Sequence, residues 1–198
     1  MDSWHTVVTT ELGELTLVRG ADGLRGLYFP HHWYRPDPET FGPLVNDGFE
    51  AARRQLTEYF AGERRAFDLP VAARGDEFQR RVWRLLDDVP YGQTTTYGEL
   101  AARLGEPTLA REVGAAVGRN PLCVVVPCHR VVGKDGALTG YAGGLKRKRH
   151  LLELESPADP SERTTRWQGT TTGTGFVAHA VPTARTARGL PAAAATSA

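Results

Sequence analysis

The stretch that leaves this chain the fewest choices is Leu122-Cys123-Val124-Val125-Val126, closed by Pro127. An apolar run of this length, mostly β-branched, predicts a short strand buried on both faces. Pro127 would end it, because proline has no N–H to give to a sheet ladder. The next two residues are Cys128 and His129. A thiol at the end of a buried strand, beside an imidazole that can take its proton directly or through a water, is a candidate nucleophile. A lone cysteine after an apolar run is more often plain core, so the weight falls on what surrounds it.

Taken in order, the first part of the chain is built from short β-rich stretches. His5 to Thr10, Glu14 to Arg19 and Leu24 to Phe29 are separated by glycine-containing turns and read as an antiparallel meander. A proline-rich irregular segment, 31–43, leads to Asp47, whose spacing to Glu50 is that of a capping box. Phe49, Ala52, Leu56 and Phe60 then recur at helical intervals before Gly62. Residues 1–72 are therefore expected to form a small α/β scaffold domain, with 71–75 as the connection to the second part of the chain. Nothing in this first part has the look of chemistry.

A second capping box, Asp76 with Gln79, opens a helix that buries Phe78, Val82, Leu85 and Val89 and breaks at Pro90-Tyr91-Gly92. From Thr94 to Asn120 the pattern is helix-turn-helix. Thr96 caps a short helix with Glu99 three residues on, and Gly105-Glu106-Pro107 makes the turn. A second helix, Thr108 to Gly118, carries small residues and a projecting Arg111. Second helices of this kind commonly enter a DNA groove, although an ordinary helical hairpin has the same pattern. A final helix, Leu145 to Glu155, begins in the basic run Lys146-Arg147-Lys148-Arg149, which reads equally as a solvated face or a phosphate contact. Residues 157–198 lose periodicity and read as a disordered low-complexity tail.

The fold class expected is thus α/β: a small N-terminal α/β domain with an antiparallel sheet, then a mostly helical C-terminal domain, 76–156, containing a helix-turn-helix of winged-helix-like character. Charge distribution agrees mildly with a polyanion partner for the second domain. Asp76 to Glu155 has 12 Lys+Arg against 10 Asp+Glu, whereas Met1 to Gly75 has 8 against 11. No apolar run approaches the roughly 20 residues of a membrane span, and the first residues do not read as a signal peptide. A cytoplasmic protein without membrane association is expected. The two cysteines lie five positions apart on one segment, which suits neither a disulfide framework nor a zinc site.

With Asn120-Pro121 before it and Gly140-Tyr141-Ala142-Gly143-Gly144 after it, Pro127-Cys128-His129-Arg130-Val131 resembles the active-site segment of the O6-alkylguanine-DNA alkyltransferases, the methylated-DNA-protein-cysteine methyltransferases. The likeness runs without a gap from about Phe78 to Glu155. It implies a single-turnover DNA repair protein that flips out O6-alkylguanine, and also O4-alkylthymine, and moves the alkyl group to its own cysteine. Cys128 would be the acceptor and His129 its base. Glu155 would hold the imidazole, with Glu153 as competitor, and Asn120 would bind the turn around Cys128. Arg111 would fill the vacated base stack, and Tyr97 would contact the target phosphate and flipped base. Tyr141 would form a pocket wall, the Val131 carbonyl would read the guanine amine, and the Ala142 N–H would meet O6. Thr96 and Arg130 are further expected DNA contacts.

The partner implied is double-stranded DNA carrying alkylated guanine, bound by a monomer without metal or cofactor. Some relatives carry a zinc in the N-terminal part, but this chain has no cysteine before Cys123. Two departures, Cys123 where a proline often flanks the pocket and Thr139 where some relatives have glycine, imply a preference for small alkyl groups. The rivals are a non-catalytic alkyl-damage-binding protein, a cysteine hydrolase or redox enzyme, and a plain helix-turn-helix regulator. The first would lack the acceptor cysteine, the second needs a resolving thiol or an oxyanion site, and the third leaves Cys128-His129 without purpose.

Overall fold

The structure is a computed structural model that describes residues 3–156; the expectation for 157–198 lies outside the described residues. Three strands, β1 (Ser3–Thr10), β2 (Gly13–Gly20) and β3 (Gly23–Tyr28), form an antiparallel sheet in the order β1-β2-β3. The register runs from Ser3 opposite Gly20 to Thr10 opposite Gly13, with an irregularity at Val18/Arg19 between β2 and β3. Leu15, Leu17 and Leu27 lie on the buried face of this sheet, together with Phe29 just beyond β3.

Helix α1 (Glu50–Phe60) starts three residues later than the spacing of Asp47 and Glu50 predicts. Gly48 takes φ +81°, a left-handed conformation that no helix can contain, and Glu50 instead accepts a hydrogen bond from the Gly48 N–H at 2.9 Å. The helix buries Ala52, Gln55, Leu56 and Tyr59. Buried Gln55 is satisfied on both sides of its amide by the Asp68 backbone, at 2.7 and 2.8 Å.

The second part is mostly helical. Both expected capping boxes form, Asp76 with Gln79 at the start of α2 (Glu77–Asp87) and Thr96 with Glu99 at the start of α3 (Tyr97–Arg103). Helix α4 (Ala110–Gly118) begins two residues after Thr108 and packs against both. Trp83 of α2 donates its indole N–H to the Ala116 carbonyl of α4 at 2.8 Å. Two-residue strands β4 (Thr95–Thr96) and β5 (Val131–Val132) pair in parallel, and α5 (Leu145–Glu155) closes the unit.

One hydrophobic cluster runs through both halves, from Leu15 and Leu56 to Leu100, Leu122 and Leu151. Strand β3 is the seam. Leu27 donates its N–H to the Pro121 carbonyl at 2.7 Å and bridges to Leu122, while its carbonyl accepts the buried Cys123 thiol at 2.8 Å. The segment that leads to Cys128 is therefore anchored directly on the N-terminal sheet.

Candidate active site

Leu122 to Val126 does not form the predicted strand. Beyond the single bridge at Leu122 the chain turns back on itself: the Val126 N–H reaches the Leu122 carbonyl at 2.8 Å and the Val125 N–H the Cys123 carbonyl at 2.9 Å. Asn120 imposes this. Its Oδ1 accepts the Leu122 N–H at 3.0 Å and its Nδ2 donates to the Val126 carbonyl at 2.8 Å, clamping both ends of the run. The closure forces Val124 to φ +72°, a strained conformation for a β-branched residue. Strain of this kind persists where the surroundings over-determine it, and functional sites are where it collects.

The turn delivers Cys128 to the start of a short 3-10 turn, Cys128–Arg130, where its N–H is held by the Val126 carbonyl at 2.8 Å. The thiol is buried. Burial pushes it up to about 11, against the opposing pull of the Asn120 amide and the Lys148 ammonium. His129, fully buried, turns inward so that Nε2 lies 3.0 Å from Glu155 Oε1, while Nδ1 has no hydrogen-bond partner among the described residues. A carboxylate accepts only from N–H, so the proton sits on Nε2 and Nδ1 presents its lone pair. Burial lowers the proton affinity of this imidazole more than Glu155 raises it. At rest the pair is a neutral thiol and a neutral base of fixed tautomer.

Glu155 is the most heavily bonded group of the site. Its Oε1 accepts from Tyr59 Oη at 2.7 Å, Arg130 Nη2 at 2.8 Å and His129 Nε2 at 3.0 Å, and its Oε2 from Arg130 Nε at 2.8 Å and the Gly92 N–H at 3.3 Å. Burial alone would raise its carboxyl, but the hydrogen bonds and charges of His129 and Arg130 win and hold it well below the ordinary carboxylate range. Glu153, the competitor for this position, is exposed. Gly92 is required here: with φ +75°, a side chain would meet the Glu155 carbonyl at 2.7 Å.

Three residues expected to face DNA or solvent turn inward. Arg130, expected to meet DNA, is buried, forks onto Glu155 and gives its remaining Nη1 to the Val89 carbonyl at 2.6 Å. Thr96 is buried as well, and its hydroxyl is the helix cap, accepting the Glu99 N–H at 3.3 Å. Lys148 belongs to no solvated or phosphate-binding run. Fully buried, it donates Nζ to the carbonyls of Val131 at 2.5 Å, Thr139 at 2.5 Å and Gly140 at 3.1 Å, and burial lowers it to about 8. Lys148, Leu151 and Glu155 are the buried residues of α5. Their spacing of three and four is a helical stripe, and that stripe is the signal which sets Lys148 apart from the exposed Lys146 and Arg149.

The remaining expected residues divide by exposure. Tyr97, half-buried at the start of α3, directs its hydroxyl to the Thr139 carbonyl at 3.3 Å and lies within the field of the Cys128 thiol. Gly114 of α4 lies against its ring, where a Cβ would make ordinary van der Waals contact at 3.5 Å. Tyr141 buries its hydroxyl toward Cys123 and feels both thiols. Ala142 is half-buried and accepts the Trp33 N–H at 3.2 Å, so the N-terminal part also steadies this loop. Arg111 stands exposed in the first turn of α4. Lys148 and Tyr97 together grip the Thr139–Gly140 backbone, and Val131 keeps one carbonyl lone pair beyond the one Lys148 takes.

Such an arrangement can deprotonate a thiol and hold the resulting imidazolium beside a fixed carboxylate. The sequence matches two family profiles. One, described as 6-O-methylguanine DNA methyltransferase, DNA binding domain, covers residues 77–157; the other, described as 6-O-methylguanine DNA methyltransferase, ribonuclease-like domain, covers residues 4–73. The chain is 44% identical over 160 residues to the methylated-DNA–protein-cysteine methyltransferase of Mycobacterium tuberculosis, covering 81% of this chain and 96% of that protein. It is 42% identical over 152 residues to the protein of the same name from Methanosarcina acetivorans, covering 77% and 97%. Among solved structures, Mycobacterium tuberculosis OGT in complex with DNA superposes with a TM-score of 0.74 at 45% identity, covering 77% of this chain and 92% of that one.

Proposed function

The chain belongs to the methylated-DNA–protein-cysteine methyltransferase family, and from that premise we propose that it repairs alkylated DNA by taking the alkyl group of O6-alkylguanine onto Cys128. The observation that carries this reading is the juxtaposition of Cys128 with a buried His129 whose tautomer Glu155 fixes. His129 Nδ1 accepts the thiol proton through a water, which a neutral base can do only if its lone pair faces outward from Glu155. The thiolate sulfur then attacks the alkyl carbon. The carbon–O6 bond breaks, its electron pair leaves with the guanine, and a thioether remains on Cys128. A thioether has no low-energy route back, so each molecule acts once.

A buried thiol cannot reach a base inside duplex DNA, so the nucleotide must be flipped out at a cost of a few kcal/mol. Arg111, exposed on α4, fills the vacated stack, and Tyr97 contacts the flipped nucleotide. Tyr141 lines the pocket, the Val131 carbonyl accepts from the guanine amine, and the Ala142 N–H donates to O6 as the leaving group gains charge. Lys148 contributes in two ways. It fixes the carbonyls that shape this pocket, and its ammonium favours the thiolate form of Cys128. O4-alkylthymine offers the same alkyl–oxygen bond and is a second substrate. A protein that only marked the damage would have no use for a thiol beside an oriented base, which sets the non-catalytic reading behind this one.

Cys123 and Thr139 border the alkyl end of the pocket, and we infer a preference for methyl over benzyl groups. Transfer from duplexes carrying O6-methylguanine or O6-benzylguanine, followed to completion with protein limiting, tests both parts. A plateau at one alkyl group per protein, reached faster with methyl, is expected. Continued turnover would sink the single-use mechanism, and equal rates would sink the size preference.

A further inference from the structure

Tyr59 belongs to α1, in the part of the chain that the sequence marks as scaffold, yet its hydroxyl lies 2.7 Å from Glu155 Oε1, across 96 positions of sequence. Its ring already has a packing role. It meets Phe60 edge-on at 5.5 Å, Phe67 at 5.1 Å and Tyr91 edge-on at 6.2 Å, and it is buried. A phenylalanine would make those contacts equally well, so they give no reason for the hydroxyl. Nor does charge balance, because Arg130 alone neutralises Glu155 through a two-pronged pair at 2.8 Å on each oxygen.

The hydroxyl has a consequence for a third group. Oε1 has two in-plane lone pairs and three donors, and His129 Nε2, at 3.0 Å, has the longest of the three contacts. Donors sharing one carboxylate oxygen compete for its charge. We propose that Tyr59 is a positioning residue of the transfer chemistry: its hydroxyl, donating to Glu155 Oε1, withdraws charge from His129 and thereby lowers the proton affinity of the Nδ1 that receives the Cys128 proton. The proposal rests on the reading of Cys128 and His129 as acceptor and base.

The surroundings agree. Burial and the Glu155 charge keep the Tyr59 phenol protonated far beyond neutral pH, so it is always a donor. The other groups facing the pair are Arg130 and the Gly92 N–H on the carboxylate, Tyr91 beneath the Arg130 guanidinium at 5.8 Å, and Lys148, whose charge reaches the imidazole; the Cys128 thiol meets the His129 backbone N–H. Arg130 and Lys148 also lower the His129 proton affinity. Burial is the larger cause, and Tyr59 adds to it through the carboxylate, so that the base stays neutral where a free histidine begins to protonate.

The test is a titration of His129 by NMR in the full chain, alongside the pH profile of alkyl transfer from an O6-methylguanine duplex, for the wild type and Tyr59→Phe. Losing a hydrogen bond to a charged group should move the His129 midpoint and the acid limb of transfer upward by about half a pH unit or more, roughly a twofold rate loss at the wild-type midpoint that approaches threefold below it. Loss of packing alone would lower the melting temperature without moving either midpoint. An unmoved or downward-shifted midpoint overturns the proposal. So does an equal shift when Tyr59→Phe is made in a Glu155→Gln background, because the effect must pass through the carboxylate. Uniform 3-fluorotyrosine in the wild-type chain, a stronger donor that keeps the fold, should move the midpoint the other way, and no movement would again overturn it. A wild-type protein that transfers nothing at any pH would remove the acceptor reading, while the NMR midpoints would still decide the role of Tyr59.

Discussion

The buried network around Glu155 and the exposed face of α3 and α4 belong to the same part of the chain and obey opposite rules. In the network, every donor is committed before any substrate arrives: Arg130, His129, Tyr59 and Gly92 all close on one carboxylate. On the outer face, Arg111 is exposed and free to be ordered by the surface it meets. The difference comes from desolvation. A charge taken out of water must be paired at once, so the interior can only be preorganised, whereas a solvated arginine loses nothing by waiting. Arg111 and Arg130, the same residue type in the same half, thus end in opposite states, one left in water and the other locked onto Glu155.

This contrast can be broken in steps. The largest effect should come from Glu155→Gln, which frees the His129 tautomer and strands buried Arg130. Transfer should slow by roughly 10²–10⁴-fold, and urea unfolding should show a loss of about 3–5 kcal/mol. A loss below about 1 kcal/mol would mean that the interior is no more committed than the surface. Arg111→Ala should do the reverse. Stability should stay within about 0.5 kcal/mol, and transfer from duplex DNA should fall on the order of 10–100-fold, part of the few kcal/mol that flipping requires. Transfer from the free O6-methylguanine base should be unchanged, and an equal loss on both substrates would place Arg111 in the chemistry instead.

The smallest effect concerns acid stability. His32 is buried against Tyr28, with ring centroids 5.4 Å apart, and burial lowers it to about 4. The unfolded chain takes up a proton near pH 6.5 that the folded chain refuses until about 4, so stability falls as pH drops through that window. His129 and Glu155, both lowered, act in the same direction. In melting curves between pH 7 and 4, His32→Phe should lessen the acid loss without abolishing it. An unchanged slope would assign the whole effect to the Glu155 network.

Legibility in the sequence tracks the range of the interaction concerned. The sheet strands and the capping boxes at Asp76 and Thr96 are written in neighbouring residues, and α5 has the bounds its pattern predicts. The helix expected from Asp47 forms, but its start is displaced to Glu50 for a reason that is also local, the left-handed Gly48. The strand expected at Leu122 to Val126 fails because a side chain outside the run, Asn120, closes it into a turn. Cys128, His129, Asn120 and Glu155 are brought together as a motif likeness implies. Tyr59 and Lys148 lie outside that motif, and Arg130, within it, reads as a DNA contact rather than as a buried partner of Glu155, because burial of a polar side chain is decided by a partner distant in sequence. For Lys148 only the helical stripe with Leu151 and Glu155 hints at it.

The fate of one sulfur tests the transfer chemistry most directly. Intact-mass spectrometry of the protein mixed with an equimolar duplex carrying a single O6-methylguanine, with peptide mapping and a Cys128→Ser control, reads it. One added methyl group mapped to Cys128 and absent from the control is the predicted result. A protein that binds the duplex yet stays unmodified, or carries the methyl elsewhere, would contradict it.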